Sequence, residues 1–247
     1  MTAIGRIVWF DYLTSEPAKA EAFFVALFGW TAHTLTLPSG PYTIIINDRQ
    51  PIGGYLPPLR GTPIYRMGEP YSRWMPQLEI ANGHESAAQA KRLGATMHRE
   101  PSPFADVGKV AFGTDPAGIA FAMREPAKIE EDVGWSGPAN TFCWAELYTP
   151  VVTSAVSFYK VFAGFTPTAS PLADGPYYLL ERDGQPRAGI RAPLPGVQPG
   201  WFPWVRVPDV ATTAATAQQL EATIVMPAAN GRALLVDPWG ATLGLAQ

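Results

Sequence analysis

Alternating apolar and polar residues predict a strand near the start of each half of the chain. The stretches "IVWFDYL" (Ile7–Leu13) and "FCWAELY" (Phe142–Tyr148) both place an acidic residue on the same face as a large aromatic residue. A helix is predicted after each strand, because apolar residues then recur at helical spacing. Gly29 and Gly164 follow these helices, where a C-terminal cap needs positive φ. In the first half the helical stripe is Ala20, Phe23, Phe24, Leu27 and Phe28.

The second half of the chain repeats the first. The matches occur in the same order and are separated only by short deletions, which indicates two related domains. The polar, Pro- and Gly-containing stretch between the halves is typical of a linker. We therefore predict domains at 1–124 and 142–247, with a linker at 125–141. The aligned pairs include Trp9 and Trp144, Asp11 and Glu146, Trp74 and Trp201, and the "DPAG" turn at 115–118 with the "DPWG" turn at 237–240.

Within each half the predicted elements follow the order strand, helix and three strands, and this order occurs twice. "Gly-Pro-Tyr" and "Asp-x-Gln-Pro" segments mark the turns between strands. The chain is thus predicted to have an α+β fold of four tandem βαβββ modules, two per domain.

Several of these motifs together resemble the glyoxalase / bleomycin-resistance / dioxygenase superfamily, also called vicinal oxygen chelate. They are "FFVALFGW" (Phe23–Trp30), its echo "FYKVFAGF" (Phe158–Phe165), "WAELYTP" (Trp144–Pro150), and the two Asp-Pro-x-Gly turns. The resemblance covers nearly the whole chain. It implies two glyoxalase-like domains, each with strands curled around an open, barrel-like cleft.

The resemblance also implies a divalent metal in the cleft, held by His or Glu side chains of strands one, four, five and eight. In this sequence the corresponding positions carry aromatic, apolar or glycine residues, so we expect neither a metal nor a cofactor. In strand order, the positions are Trp9 and Trp144, about Tyr55 and Ile190, Met75 and Phe202, and Ala122 and Gly244.

Glu146 and Asp11 are the candidate catalytic residues. Glu146 lies between Trp144 and Tyr148 on one strand face, where partial desolvation would raise its pKa toward the range useful for proton transfer. Either acid is a candidate general base or hydrogen-bond acceptor for a ligand. The alternative is a structural carboxylate that accepts bonds from indole, phenol or backbone donors.

The candidate ligand-binding residues are aromatic side chains on the predicted inner strand faces. Many strand aromatics only build the core, and this alternative stays open. The tyrosines that follow the two Gly-Pro turns, Tyr42 and Tyr177, are expected mainly to open their strands, but Tyr177 belongs to the preferred C-terminal cleft. The candidates are Trp9, Trp144, Tyr148, Tyr177, Phe202 and Trp204.

Composition excludes several classes of partner. The 247 residues are 47% apolar and 16% charged, with a net charge of −3 and no basic run, so we expect neither nucleic-acid nor membrane binding. One cysteine, Cys143, excludes an internal disulfide. No apolar run approaches the ~20 residues of a membrane span, and no leader precedes the first strand, so a cytoplasmic location is expected.

The expected partner is a small organic molecule in an aromatic-lined cleft, with the chain a monomer or a homodimer. Three functions remain open. The first is metal-free acid–base catalysis by Glu146, of an isomerase or lyase kind. The second is non-catalytic binding or sequestration. The third is a metal-dependent lyase or dioxygenase in which Asp11 or Glu146 pairs with a histidine as atypical ligands.

Overall fold

The fold is described by a computed structural model that covers residues 3–37, 40–58, 72–129, 131–172 and 175–247. The helices are α1 (Pro17–Phe28), α2 (Gly83–Arg92), α3 (Val152–Phe162) and α4 (Val210–Gln219). The N-terminal strands are β1 (Ile7–Thr14), β2 (Thr31–Leu37), β3 (Gly40–Asn47), β4 (Gln50–Leu56), β5 (Ser72–Glu79), β6 (Thr96–Phe104), β7 (Gly108–Thr114) and β8 (Ala120–Pro126). The C-terminal strands are β9 (Phe142–Tyr148), β10 (Thr166–Leu172), β11 (Gly175–Arg182), β12 (Gln185–Arg191), β13 (Gly200–Arg206), β14 (Thr223–Ala229), β15 (Arg232–Val236) and β16 (Thr242–Ala246).

This element order confirms the α+β fold of four tandem βαβββ modules. The local signals act as expected, since Gly29 and Gly164 both adopt positive φ after their helices. The side chains of Asn82 and Asp209, which are equivalent in the repeat, accept backbone bonds at the starts of α2 and α4. Strand β8 continues to Pro126 and so enters the segment predicted as the linker.

The strands of the two halves are paired in the same order. The N-terminal half runs β2-β3-β4-β1-β5-β8-β7-β6, and the C-terminal half runs β10-β11-β12-β9-β13-β16-β15-β14. The halves join where Trp74 of β5 lies opposite Trp201 of β13. Among the described residues these pairings do not close the sheet, so each half stays open, as expected for the open clefts of this fold.

The two Asp-Pro-x-Gly turns connect the halves. Each aspartate accepts backbone N–H bonds within its own turn through Oδ1. Through Oδ2, Asp237 accepts a bond of 2.5 Å from the Tyr12 hydroxyl, and Asp115 accepts one of 3.4 Å from Tyr159. These buried bonds cross from one half of the chain to the other.

The segment between the halves packs against both of them. Asp132 forms a buried ion pair of 2.6 Å with Arg187. The Trp30 indole donates to the backbone oxygen of Asn140 at 2.8 Å, and the Asn140 amide donates to the backbone oxygen of Phe28. In the described part of the chain, no helix has both the length and the apolar character needed to cross a membrane.

Candidate functional site

Strand register places Asp11 at the centre of the N-terminal cleft. On β1, Asp11 lies beside Gly54 of β4 and opposite Met75 of β5. The next residue, Tyr12, points into the core, where its ring meets that of Tyr55 edge-on. Alternation therefore turns Asp11 toward the cleft and Tyr12 away from it.

The same register corrects the strand-four positions inferred from the resemblance. Tyr55 pairs with Tyr12 and lies in the core, so Gly54 is the cleft-facing residue of β4. In the C-terminal half Gly189 lies beside Glu146, and Ile190 is buried in the core. Tyr55 and Ile190 were expected as the cleft-facing positions of these strands, and the expectation was wrong by one residue. In a strand, a shift of one residue moves a side chain to the opposite face.

Three side chains donate hydrogen bonds to the buried Asp11 carboxylate. The Tyr42 hydroxyl lies 2.6 Å from Oδ1, and the Trp9 indole nitrogen lies 3.2 Å from the same oxygen. The Gln77 amide nitrogen lies 2.6 Å from Oδ2. The Trp9 N–H also approaches the Tyr42 oxygen at 2.9 Å, which ties the donors to one another.

Burial dominates the electrostatics of this site. It raises the pKa of Asp11 to about 6, although the bonds from Tyr42, Gln77 and Trp9 act in the opposite direction. Burial and the nearby Asp11 charge raise the pKa of Tyr42 well above its usual value. Tyr42 therefore stays protonated as a donor, and Asp11 is the group of this pair whose pKa lies closer to neutral.

Glu146 has an equivalent network in the C-terminal half. Its Oε2 accepts a bond of 2.9 Å from the Trp204 indole, and the Tyr177 hydroxyl bonds to the same carboxylate. The Trp144 indole donates to Tyr177 at 3.2 Å, as Trp9 does to Tyr42. Burial raises the pKa of Glu146, and nearby Arg232 opposes the shift. The acid, indole and phenol thus recur together in both halves.

The fourth member of each network differs between the halves, and its neighbour differs with it. Gln77 occupies the repeat position of Trp204. On the neighbouring strand, Gln77 lies beside Ala122, whereas Trp204 lies beside Gly244. A Cβ at Gly244 would lie 2.1 Å from the Trp204 ring. The larger indole therefore requires glycine beside it, whereas Gln77 leaves room for alanine.

Two cavities in the N-terminal cleft adjoin the Asp11 network. One of about 420 Å³ opens onto Asp11, and a second of about 250 Å³ opens onto Trp9. Tyr42, Gln77 and Phe104 line both cavities, so these residues separate them. The larger cavity is also lined by Leu56, Met75, His98, Arg99, Val110 and Phe112.

The predicted site residues are partly brought together. Trp9 joins Asp11, while Trp144, Tyr177 and Trp204 join Glu146. Tyr148 and Phe202 pack against each other with ring centroids 4.8 Å apart, and both are buried. Their roles as ligand contacts, like those of the other four aromatic candidates, stay predictions.

Three residues of the N-terminal site were not among the candidates from the sequence, although Tyr42 was considered there and interpreted as a residue that opens its strand. Tyr42 and Gln77 donate to Asp11, and His98 lines the same cavity, where burial lowers its pKa. The signal for Tyr42 was its alignment with Tyr177, and that for Gln77 was its alignment with the candidate Trp204. His98 has no counterpart in the repeat, so only the fold reveals it.

The donors around Asp11 do not fit a divalent metal ion. A metal needs lone pairs from the side chains around it, and an indole N–H has none to offer. Trp9, Tyr42 and Gln77 all direct hydrogens toward the carboxylate that would have to bind the ion. In the described residues, no three His, Cys, Asp or Glu side chains are grouped in a way that could hold a metal.

Comparison with known proteins agrees with this architecture. No family model matches the chain. "Putative glyoxylase CFP32" of Mycobacterium tuberculosis is 25% identical over 246 residues, covering 96% of this chain and 92% of that protein. "Anthracycline biosynthesis protein DnrV" of Streptomyces peucetius is 25% identical over 259 residues, covering 99% and 94%.

Solved structures share the fold at low sequence identity. The Mn(II)-bound glyoxalase from Novosphingobium aromaticivorans superposes with a TM-score of 0.64 at 15% identity, covering 99% of this chain and 82% of that one. Homoprotocatechuate 2,3-dioxygenase from Brevibacterium fuscum, in complex with 3,4-dihydroxyphenylacetate, gives 0.66 at 12%, covering 100% and 81%. The fold and the paired clefts define a two-domain glyoxalase-like protein. The chain is similar over nearly its whole length to proteins of this fold, which is the fold that the resemblance to the vicinal oxygen chelate superfamily implies.

Proposed function

We propose that the protein binds a small, mainly apolar organic molecule in its N-terminal cleft, where Asp11 accepts a hydrogen bond from a ligand hydroxyl or amine. The cavity of about 420 Å³ that opens onto this buried carboxylate carries the proposal. A concave, mostly apolar space with a few convergent polar groups is typical of ligand sites.

The hydrogen-bond capacity of Asp11 supports this role. Its two oxygens have about four acceptor positions in total. Tyr42 and Trp9 point to Oδ1, whereas among the described side chains only Gln77 donates to Oδ2. One acceptor position on Oδ2 therefore remains for a hydrogen bond from a ligand. The apolar walls of the cavity would strengthen this hydrogen bond by excluding water.

The pKa of about 6 favours proton transfer as a second candidate function. A carboxylate with this pKa takes up and releases a proton close to neutral pH without a metal. Glu146 remains a candidate for the same chemistry in the C-terminal cleft, because its pKa is also raised and its indole and phenol partners match.

The relatives are consistent with a small organic ligand. DnrV is named for anthracycline biosynthesis, CFP32 is named as a glyoxylase, and the Brevibacterium dioxygenase was crystallised with 3,4-dihydroxyphenylacetate. Each of these names concerns a small molecule.

The test uses 1-naphthol as the probe and 1-methoxynaphthalene as its counterpart without a donor. We expect Asp11→Asn to weaken 1-naphthol binding about ten- to hundredfold, because a charge-assisted bond contributes about 1.5–3 kcal/mol. Binding of 1-methoxynaphthalene should not change. Quenching of tryptophan fluorescence measures both affinities.

Glu146→Gln is the matched control, since it makes the same kind of change in the other half of the chain. If both variants bind 1-naphthol as the wild type does, the N-terminal assignment is wrong. A substrate that Asp11→Asn binds but does not turn over would identify acid–base catalysis. A change in affinity alone, without turnover by the wild type, would identify a binding protein.

A further inference from the structure

The internal repeat allows the two clefts to be compared residue by residue, and their charges differ. Val110 and Leu56 line the N-terminal cavity. The repeat places Arg232 at the position of Val110 and Arg191 at that of Leu56. Strand pairing agrees with this alignment. Val110 lies opposite Arg124, and Arg232 lies opposite Ala246, which is the repeat counterpart of Arg124.

These substitutions place two arginines in the C-terminal half where the N-terminal half has apolar side chains. Arg232 and Arg191 both lie close enough to Glu146 to lower its pKa, against the larger effect of burial. In the N-terminal half, Arg124 is neutralised by a bond of 2.7 Å to Glu79. Arginine replaces that glutamate in the C-terminal half, as Arg206.

Stacking on an indole, not an ion pair, holds the Arg232 side chain in place. Its guanidinium carbon lies 3.9 Å from the centroid of the Trp204 ring, a stacked cation–π geometry. The Trp204 indole in turn donates to Glu146, which already has Tyr177 as a second donor. Among the described residues, the Arg232 guanidinium forms no hydrogen bond or ion pair, and the side chain is exposed.

We propose that the C-terminal cleft binds an oxyanion, a carboxylate or a phosphate group of an organic ligand, through the guanidinium of Arg232 with Arg191 behind it. Guanidinium groups match the geometry of both oxyanions. Stacking on Trp204 orients Arg232 in advance, which lowers the entropic cost of binding. The two clefts therefore take ligands of different charge, a neutral molecule at Asp11 and an anion at Arg232.

The experiment compares 4-fluorobenzoate with its neutral analogue 4-fluorobenzamide, using ¹⁹F NMR line broadening on the whole chain. We expect the wild type to bind the benzoate and to bind the amide at least tenfold more weakly. Arg232→Val, which installs the residue of the N-terminal cleft, should weaken benzoate binding about tenfold. Arg92→Ala, at an exposed site on α2, removes the same charge and should leave binding unchanged.

Two further measurements complete the test. Arg232→Gln keeps a polar side chain and should show the same loss of benzoate binding, and thermal melting checks that each variant is folded.

Displacement of the benzoate by inorganic phosphate would extend the site to phosphates, and no displacement would restrict it to carboxylates. Equal binding of acid and amide, no binding of either, or equal affinities of Arg232→Val and Arg92→Ala would overturn the proposal. Asp11→Asn should bind the benzoate normally, which separates this site from the first.

Discussion

At the scale of single residues, two glycines make room for the phenols that reach the acids. A Cβ placed on Gly54 would lie 2.0 Å from the Tyr42 hydroxyl oxygen, and one on Gly189 would lie 1.9 Å from that of Tyr177. Neither glycine has the positive φ that would itself require glycine. Close approach of a tyrosine therefore accounts for both glycines.

We expect Gly54→Ala to destabilise the protein by about 1–3 kcal/mol, because the methyl group would push Tyr42 away from the buried Asp11. Chemical denaturation measures the change in the free energy of unfolding. Gly200→Ala is the control, since nothing lies within 4 Å of its added Cβ and its φ is not positive. Equal stabilities of the two variants would show that the Tyr42 contact is unimportant.

Sequence reasoning at this scale found the acids but not all of their partners. Asp11 and Glu146 were identified because each interrupts an otherwise apolar strand face, which is a local signal. Tyr42 and Gln77 lie on other strands, and nothing near Asp11 in the sequence marks them. Alignment of the halves pairs Tyr42 with the candidate Tyr177 and Gln77 with the candidate Trp204, but Tyr42 was interpreted as a residue that opens its strand and Gln77 was not considered.

At the scale of elements, equivalent helices bury their tryptophan partners differently. In the C-terminal half, Tyr159 of α3 accepts a bond of 2.9 Å from the Trp201 indole. In the N-terminal half, Phe24 of α1 packs on Trp74, whose buried indole nitrogen has no partner among the described residues. The Tyr159 hydroxyl thus accepts the Trp201 N–H, whereas Phe24 at the equivalent position has no acceptor to offer Trp74.

Replacing Tyr159 with Phe should make the C-terminal half resemble the N-terminal one. We expect a loss of about 1–3 kcal/mol in unfolding free energy, because the Trp201 N–H would be left buried without an acceptor. The bond to Asp115 would also be lost. Urea denaturation measures the effect, with Tyr178→Phe, on a partly exposed strand residue, as the control. A loss no larger than that of the control would contradict this account.

At the scale of the whole molecule, a buried carboxylate joins the two halves and makes their stability depend on pH. Asp237 accepts the Tyr12 hydroxyl across the junction, and burial raises its pKa to about 6, from an ordinary value of 3.8. Between these two pH values the folded protein binds more protons than the unfolded chain. Stability therefore falls as pH rises from about 4 to 6 and levels off above that. Asp11, with the same pKa, adds to this slope.

We expect Asp237→Asn to make the stability profile less steep between pH 4 and 6, since the amide does not titrate and only the part due to Asp11 remains. The full contribution of one such group is about 3 kcal/mol. Melting temperatures across this range measure the slope. Asp48→Asn, at an exposed turn residue, should keep the wild-type profile. If Asp237→Asn shows the same slope as the control, its carboxylate is not responsible.

The sequence by itself determined the order of the elements, the repeat and the faces on which Asp11 and Glu146 lie. These features follow from periodicity and turn chemistry, which act over a few neighbouring residues. Only the tertiary structure decided that Gly54, not Tyr55, faces the cleft, because register depends on how separate strands pair. It also decided that Arg232 stacks on Trp204, a contact between residues of different strands. Local pattern specifies which residues of one strand share a face, whereas strand pairing specifies which of those faces lines the cleft and what each side chain meets.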